Sequence, residues 1–69
     1  MDTVVKIGNN VRRLRIRLAI RQDELARMAK ITPTTLSRIE RNESEPHVST
    51  IRRLADALGV SPGDLIDED

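Results

Sequence analysis

Apolar residues recur along this chain at helical spacing, and no useful length alternates with a period of two. Ile7, Val11, Leu14 and Leu18 stand at i, i+4, i+7 and i+11, a single stripe that predicts a first helix from about Val4 to Leu18. Thr3 is placed to cap it, and Met1 to Thr3 are expected to fray. Gly8, Asn9 and Asn10 are weak helix formers in its opening turns. Leu25, Ala26 and Ala29 mark a second helix from about Gln22 to Ala29. Leu36 and Ile39 mark a third from about Pro33 to Arg41. Val48, Ile51, Leu54, Ala55 and Leu58 form the stripe of a fourth, from about Val48 to Leu58.

The punctuation between these stripes is specific. Thr32 is a suitable N-cap and Pro33 suits the first helical position, which needs no amide donor. Ile31 and Leu36 then have the spacing of a hydrophobic staple. Asn42 and Gly59 are suited to left-handed residues that close helices three and four. Ser61-Pro62-Gly63-Asp64 repeats the start signal, with Val60 and Leu65 as a second staple, and predicts a short fifth helix carrying Leu65 and Ile66. The expected fold is all-α, five short helices in one domain over residues 1–69. Its centre is a helix–turn–helix over about 22–41, and Asp67, Glu68 and Asp69 form an acidic tail.

Composition narrows what such a bundle can do. The 69 residues leave room for one domain with a limited core. Cysteine is absent, which removes disulfides and thiolate metal sites and fits a reducing cytoplasm. The apolar runs are too short for a membrane span, and the start lacks the apolar stretch of a secretory signal. Residues 1–30 carry eight Lys/Arg against three Asp/Glu, and residues 31–69 carry four against eight. Charge sorted in this way suits a face offered to a polyanion, although unevenly scattered surface charge gives the same count. His47 is a lone histidine without a second ligand nearby, so no metal or other cofactor is expected. Ser37 and Ser49 have no base spaced to activate them, and the chain offers no phosphate-cradling glycine loop, so an enzyme is not expected.

The outward residues of the third helix are Pro33, Thr34, Thr35, Ser37, Arg38 and Arg41, mostly hydroxyls and guanidiniums of the kind that meet phosphates and base edges. Arg38 has no acidic residue three or four positions away to absorb its charge within the helix.

Taken in order, Ile7, Val11, Leu14 and Arg15, then Gln22, Leu25 and Ala26, then Thr32, Leu36, Ser37, Ile39, Glu40 and Asn42, then Pro46, Leu54, Ala55, Leu58, Gly59, Val60 and Leu65 resemble the Cro/C1-type (XRE) helix-turn-helix family of phage and bacterial repressors. The likeness runs from Ile7 to Ile66. It implies a lambda-repressor-like fold and a sequence-specific transcriptional regulator whose third helix enters the major groove of double-stranded DNA. It implies base contacts from Pro33, Thr34, Thr35 and Arg38, with Pro33 limited to apolar contact. It implies phosphate contacts from Gln22 at the start of helix two, with Arg21, Ser37, Arg41 and His47 as further candidates. It implies an ion pair of Arg15 with Glu40 that sets the angle between helices one and three.

Such regulators bind near-palindromic sites as two-fold dimers, and Leu65 and Ile66 are the expected dimer surface. Two positions depart from the family pattern. Lys30 stands where glycine often supplies positive φ, so a strained or reshaped turn is expected. Arg21 replaces the usual Ser/Thr cap, which leaves helix two poorly capped and Arg21 free for DNA. The alternative is an antitoxin or adaptor module whose main partner is a protein.

Overall fold

The computed structural model describes residues 7–66, and its elements are α1 (Gly8–Arg17), α2 (Gln22–Met28), α3 (Pro33–Glu40), α4 (Val48–Leu58) and a 3-10 turn, Pro62–Asp64. Among the described residues there is no strand.

All four α-helices stop by the same device. After each, one residue takes a left-handed conformation: Ala19 (φ 57), Lys30 (φ 60), Asn42 (φ 59) and Gly59 (φ 73). The amides of that residue and the next then turn back onto the last carbonyls of the helix. Ile20 bonds to Arg15 O, Ile31 to Ala26 O, Glu43 to Arg38 O and Val60 to Ala55 O. These are Schellman closures. In three of them the residue after the left-handed one is Ile20, Ile31 or Val60, and each packs against the core. The closure thus satisfies carbonyls and returns an apolar side chain in one step. Only Gly59 adopts its φ without a Cβ penalty. Lys30 keeps the ordinary turn geometry of α2 to α3 at the expense of local strain, so the turn is not reshaped.

Starts are equally local. Thr32 Oγ1 accepts the Thr35 amide (3.1 Å), and Pro33 follows as the first residue of α3. Asp64 Oδ2 accepts both the Ser61 amide (3.2 Å) and the Ser61 hydroxyl (3.0 Å).

The core has no aromatic residue. Ile7, Val11, Leu25, Leu36, Ile39, Leu54 and Leu65 are its largest fully buried side chains. α2 packs on α3 and α4, and α1 also packs on both. Among the described residues, three of the long-range hydrogen bonds fasten these layers away from the Glu40 side chain. The Gly8 amide donates to Asn42 Oδ1 (3.2 Å), Asn10 Nδ2 to Leu65 O (3.1 Å) and Arg53 Nε to Ala29 O (2.9 Å).

Several expectations change. α1 begins at Gly8, not at Val4, with Ile7 at its cap; Thr3 and Val4 lie outside the described residues. Gly8 belongs to the helix because α3 leaves no room for anything larger. A Cβ there would lie 2.9 Å from Glu40 O and closer still to Ile39 O and Asn42 Oδ1. The first stripe breaks at its end, since Leu18 is 49% exposed: the helix stops at Arg17 and the chain turns away before Leu18 can reach the core. Met28 is also half exposed.

The fifth helix is a single 3-10 turn that neither Leu65 nor Ile66 joins. Leu65 is fully buried, drawn in by the Ser61 turn and tied through its carbonyl to Asn10, so it is not free to form a dimer surface. Ile66 remains exposed. The acidic tail lies outside the described residues.

Candidate nucleic-acid interface

α3 is built with two unlike sides. Leu36, Ile39 and Glu40 are buried, while Pro33, Thr34 and Arg38 are exposed and Thr35 and Ser37 are half-buried. Pro33 fixes the first turn, so the exposed row starts at a defined place. Thr34 and Arg38 stand one turn apart on that row. Among the described residues Arg38 has neither an ion-pair partner nor a hydrogen bond to its side chain. Thr35 differs from Thr34 because its hydroxyl already accepts a hydrogen bond from Thr32 Oγ1 (2.9 Å).

The flanking candidates are less free. Arg41 lies 3.3 Å from Glu43 Oε1, with both side chains largely exposed. Arg21 was expected to be free for DNA and α2 to lack a good N-cap; the Arg21 side chain indeed makes no capping hydrogen bond, but it is not left alone. Asp23 and Glu24 follow directly, and their carboxylates lie 3.5 and 3.3 Å from Arg21 Nε. Glu24 Oε1 also accepts the Arg21 amide (3.0 Å), and the Glu24 amide that a Ser/Thr cap would take is met by Asp23 Oδ1 (3.0 Å). Exposed pairs of this kind contribute about 0–1 kcal/mol, so a phosphate can displace either carboxylate. His47 precedes α4, exposed, and makes no capping bond with its side chain.

Behind the exposed row lies a buried polar cluster. Glu40 is only 3% exposed at its side chain. Its Oε2 accepts Arg15 Nε (2.7 Å), and its Oε1 accepts Arg15 Nη2 (3.1 Å) and Gln22 Nε2 (2.9 Å). Arg15 Nη1 also reaches Ile20 O (3.0 Å), just after α1. One carboxylate therefore joins α1, the start of α2 and the end of α3. The family likeness implied the pairing of Arg15 with Glu40 and gave Gln22 a separate role. The bond between Gln22 and Glu40 was missed, because nothing in an 18-residue separation signals that the two side chains meet.

Two consecutive helices held at a fixed angle, the second presenting a bare row of hydroxyl, guanidinium and apolar groups, define a helix-turn-helix protein. A helix-turn-helix family model matches residues 11–65, and the chain belongs to that family, the Cro/C1 or XRE type. It is 36% identical over 66 residues to the uncharacterized HTH-type transcriptional regulator y4dJ of Sinorhizobium fredii, covering 96% of this chain and 86% of that protein. It is 35% identical over 63 residues to repressor protein C2 of Salmonella phage P22, covering 91% of this chain but 29% of the repressor.

The crystal structure of the P22 c2 repressor in complex with synthetic operator 9T is similar at a TM-score of 0.84 and 35% identity, over 91% of this chain and 96% of the solved one. The restriction-modification controller protein C.AhdI of Aeromonas hydrophila matches at a TM-score of 0.84 and 29% identity, over 90% and 94%. The fold is lambda-repressor-like, and the chain is a regulator and not an enzyme. Among the described residues no helix is long and apolar enough to cross a membrane.

Proposed function

We propose that this protein is a sequence-specific DNA-binding transcriptional regulator that lays α3 in the major groove and works in the cytoplasm as a homodimer on a near-palindromic operator. The observation that carries this reading is Arg38, exposed and unpaired among the described residues, one turn from the exposed Thr34. A guanidinium on a groove-sized helix matches guanine O6 and N7 with two parallel hydrogen bonds. Thr34 offers a hydroxyl and a methyl to the neighbouring base, Thr35 a hydroxyl proton and its methyl, and Pro33 an apolar edge. Gln22, Arg21, Ser37, Arg41 and His47 surround the row and hold the phosphates that set its register.

A helix of eight residues reads few base pairs, so two copies on inverted half-sites supply the rest. Of the pair expected at the dimer surface, Ile66 is left to meet a second copy, since Leu65 belongs to the core.

Selection of bound duplexes from a random pool tests the reading. One motif is expected, with inverted halves separated by about 10 base pairs or a multiple of that spacing. A pool that returns no enriched sequence would show that the main partner is not a DNA site.

A further inference from the structure

Gln22 brings a single amide group to the edge of the proposed interface, and half of that group is already committed. A carboxylate only accepts hydrogen bonds, so the amide must turn its NH2 end, not its oxygen, toward Glu40. The bond Gln22 Nε2–Glu40 Oε1 is 2.9 Å long, and Glu40 is itself gripped twice by Arg15, at 2.7 and 3.1 Å. Arg15 is anchored in turn on Ile20 O at 3.0 Å. The amide is planar, so fixing one N–H fixes the direction of the other. That second N–H has no partner among the described residues. The arginine also neutralises the carboxylate, so the cluster does not confront an approaching phosphate with a bare negative charge.

We infer that Glu40 and Arg15 are positioning residues for DNA affinity. They hold the Gln22 side chain in the one orientation that presents its free Nε2–H to a phosphate oxygen of the DNA backbone. This rests on the DNA-binding reading above. It adds to the angle-setting part of the ion pair a direct link from a buried charge to a backbone contact. Once released from Glu40, the Gln22 side chain would sample several rotamers and lose that freedom only on binding. Ordering one such side chain lowers affinity about two- to tenfold.

A contact to the phosphate backbone carries no sequence information. The effect is therefore expected on cognate and scrambled duplexes alike, and it must vanish when Gln22 is already gone. Dissociation constants of the wild type, Gln22→Ala, Glu40→Leu and the double variant test this at a temperature where circular dichroism shows all four folded; leucine removes the acceptor, which a glutamine would keep. Each single change is expected to weaken both duplexes about two- to tenfold, with the double no weaker than Gln22→Ala. Wild-type affinity in Glu40→Leu, or losses that multiply in the double variant, would overturn the inference.

A second measurement stands if Glu40→Leu does not fold. Nitrogen relaxation of the Gln22 side-chain amide in the wild type should report an ordered group whose resonance moves when DNA is added. A freely rotating amide, or one indifferent to DNA, would equally refute the positioning role. Arg38→Ala separates this failure from a wider one. If it weakens the cognate site while Glu40→Leu does not, only the positioning role is lost; if neither matters, the DNA reading goes too.

Discussion

Arg38 and Glu40 stand two positions apart on α3 and meet opposite surroundings. Glu40 points into the bundle, where its carboxylate receives three hydrogen bonds from α1 and α2. Arg38 points out and is paired with nothing among the described residues. A buried charge left without partners is strongly destabilising, so the inner side of α3 is fixed by folding. An exposed arginine is solvated by water, so folding sets no requirement on the outer side. The helix therefore separates its tasks by face: inner residues determine whether and where it stands, and outer residues are free to be chosen for what it touches.

The largest test of this division is Glu40→Ala. Removing the carboxylate strands Arg15, only 13% exposed, and should lower unfolding free energy by about 3 kcal/mol in urea titration. A chain of this size has only a few kcal/mol in total, so a substantial unfolded fraction is expected. A stable variant would mean that the cluster is not needed to fix α3.

Gly8→Ala probes the same inner side from α1. At an open helix position this change would stabilise by about 0.5–1 kcal/mol. Here the new Cβ meets the Ile39 and Glu40 carbonyls, so the sign should reverse. A loss of about 1–3 kcal/mol is expected, seen as a thermal midpoint lower by several degrees. Any rise in midpoint would show that α1 does not pack against the end of α3 as closely as described.

Lys30→Gly should have the smallest effect and the opposite sign. The left-handed backbone at φ 60 disfavours a residue with a Cβ. Glycine should raise stability by about 0.5–1 kcal/mol, with an unchanged denaturant slope and no change in DNA affinity. An unchanged urea midpoint would mean that Lys30 holds this turn without strain.

What could be read along the chain follows the same inner and outer division. The start of α3 was legible because Thr32, Pro33, Ile31 and Leu36 act on one another within six residues. The closures at Asn42 and Gly59 were legible because those residue types tolerate a left-handed backbone. Ala19 adopts the same conformation with no such signature, since its closure is imposed by Ile20 packing inward. Leu18 was assigned to the core because apolar spacing does not show where the chain turns away, and Leu65 to a dimer surface because nothing along the chain shows that the Ser61 turn draws it inward. Arg21 was read as free although Asp23 and Glu24 follow it directly, and their carboxylates lie 3.5 and 3.3 Å from its Nε. The outer row of α3 was visible as a pattern of hydroxyls and guanidiniums, but which base or phosphate each one meets is written in the DNA and not in this chain.

The most direct test of the outer face is a paired titration of wild type and Arg38→Ala on the selected duplex and on variants changed at each position. The account predicts an unfolding free energy unchanged within about 0.5 kcal/mol. It also predicts a loss of about 1–3 kcal/mol on the selected site and relaxed preference at a single base pair per half-site. Undiminished affinity and unaltered preference in a fully folded Arg38→Ala would contradict it.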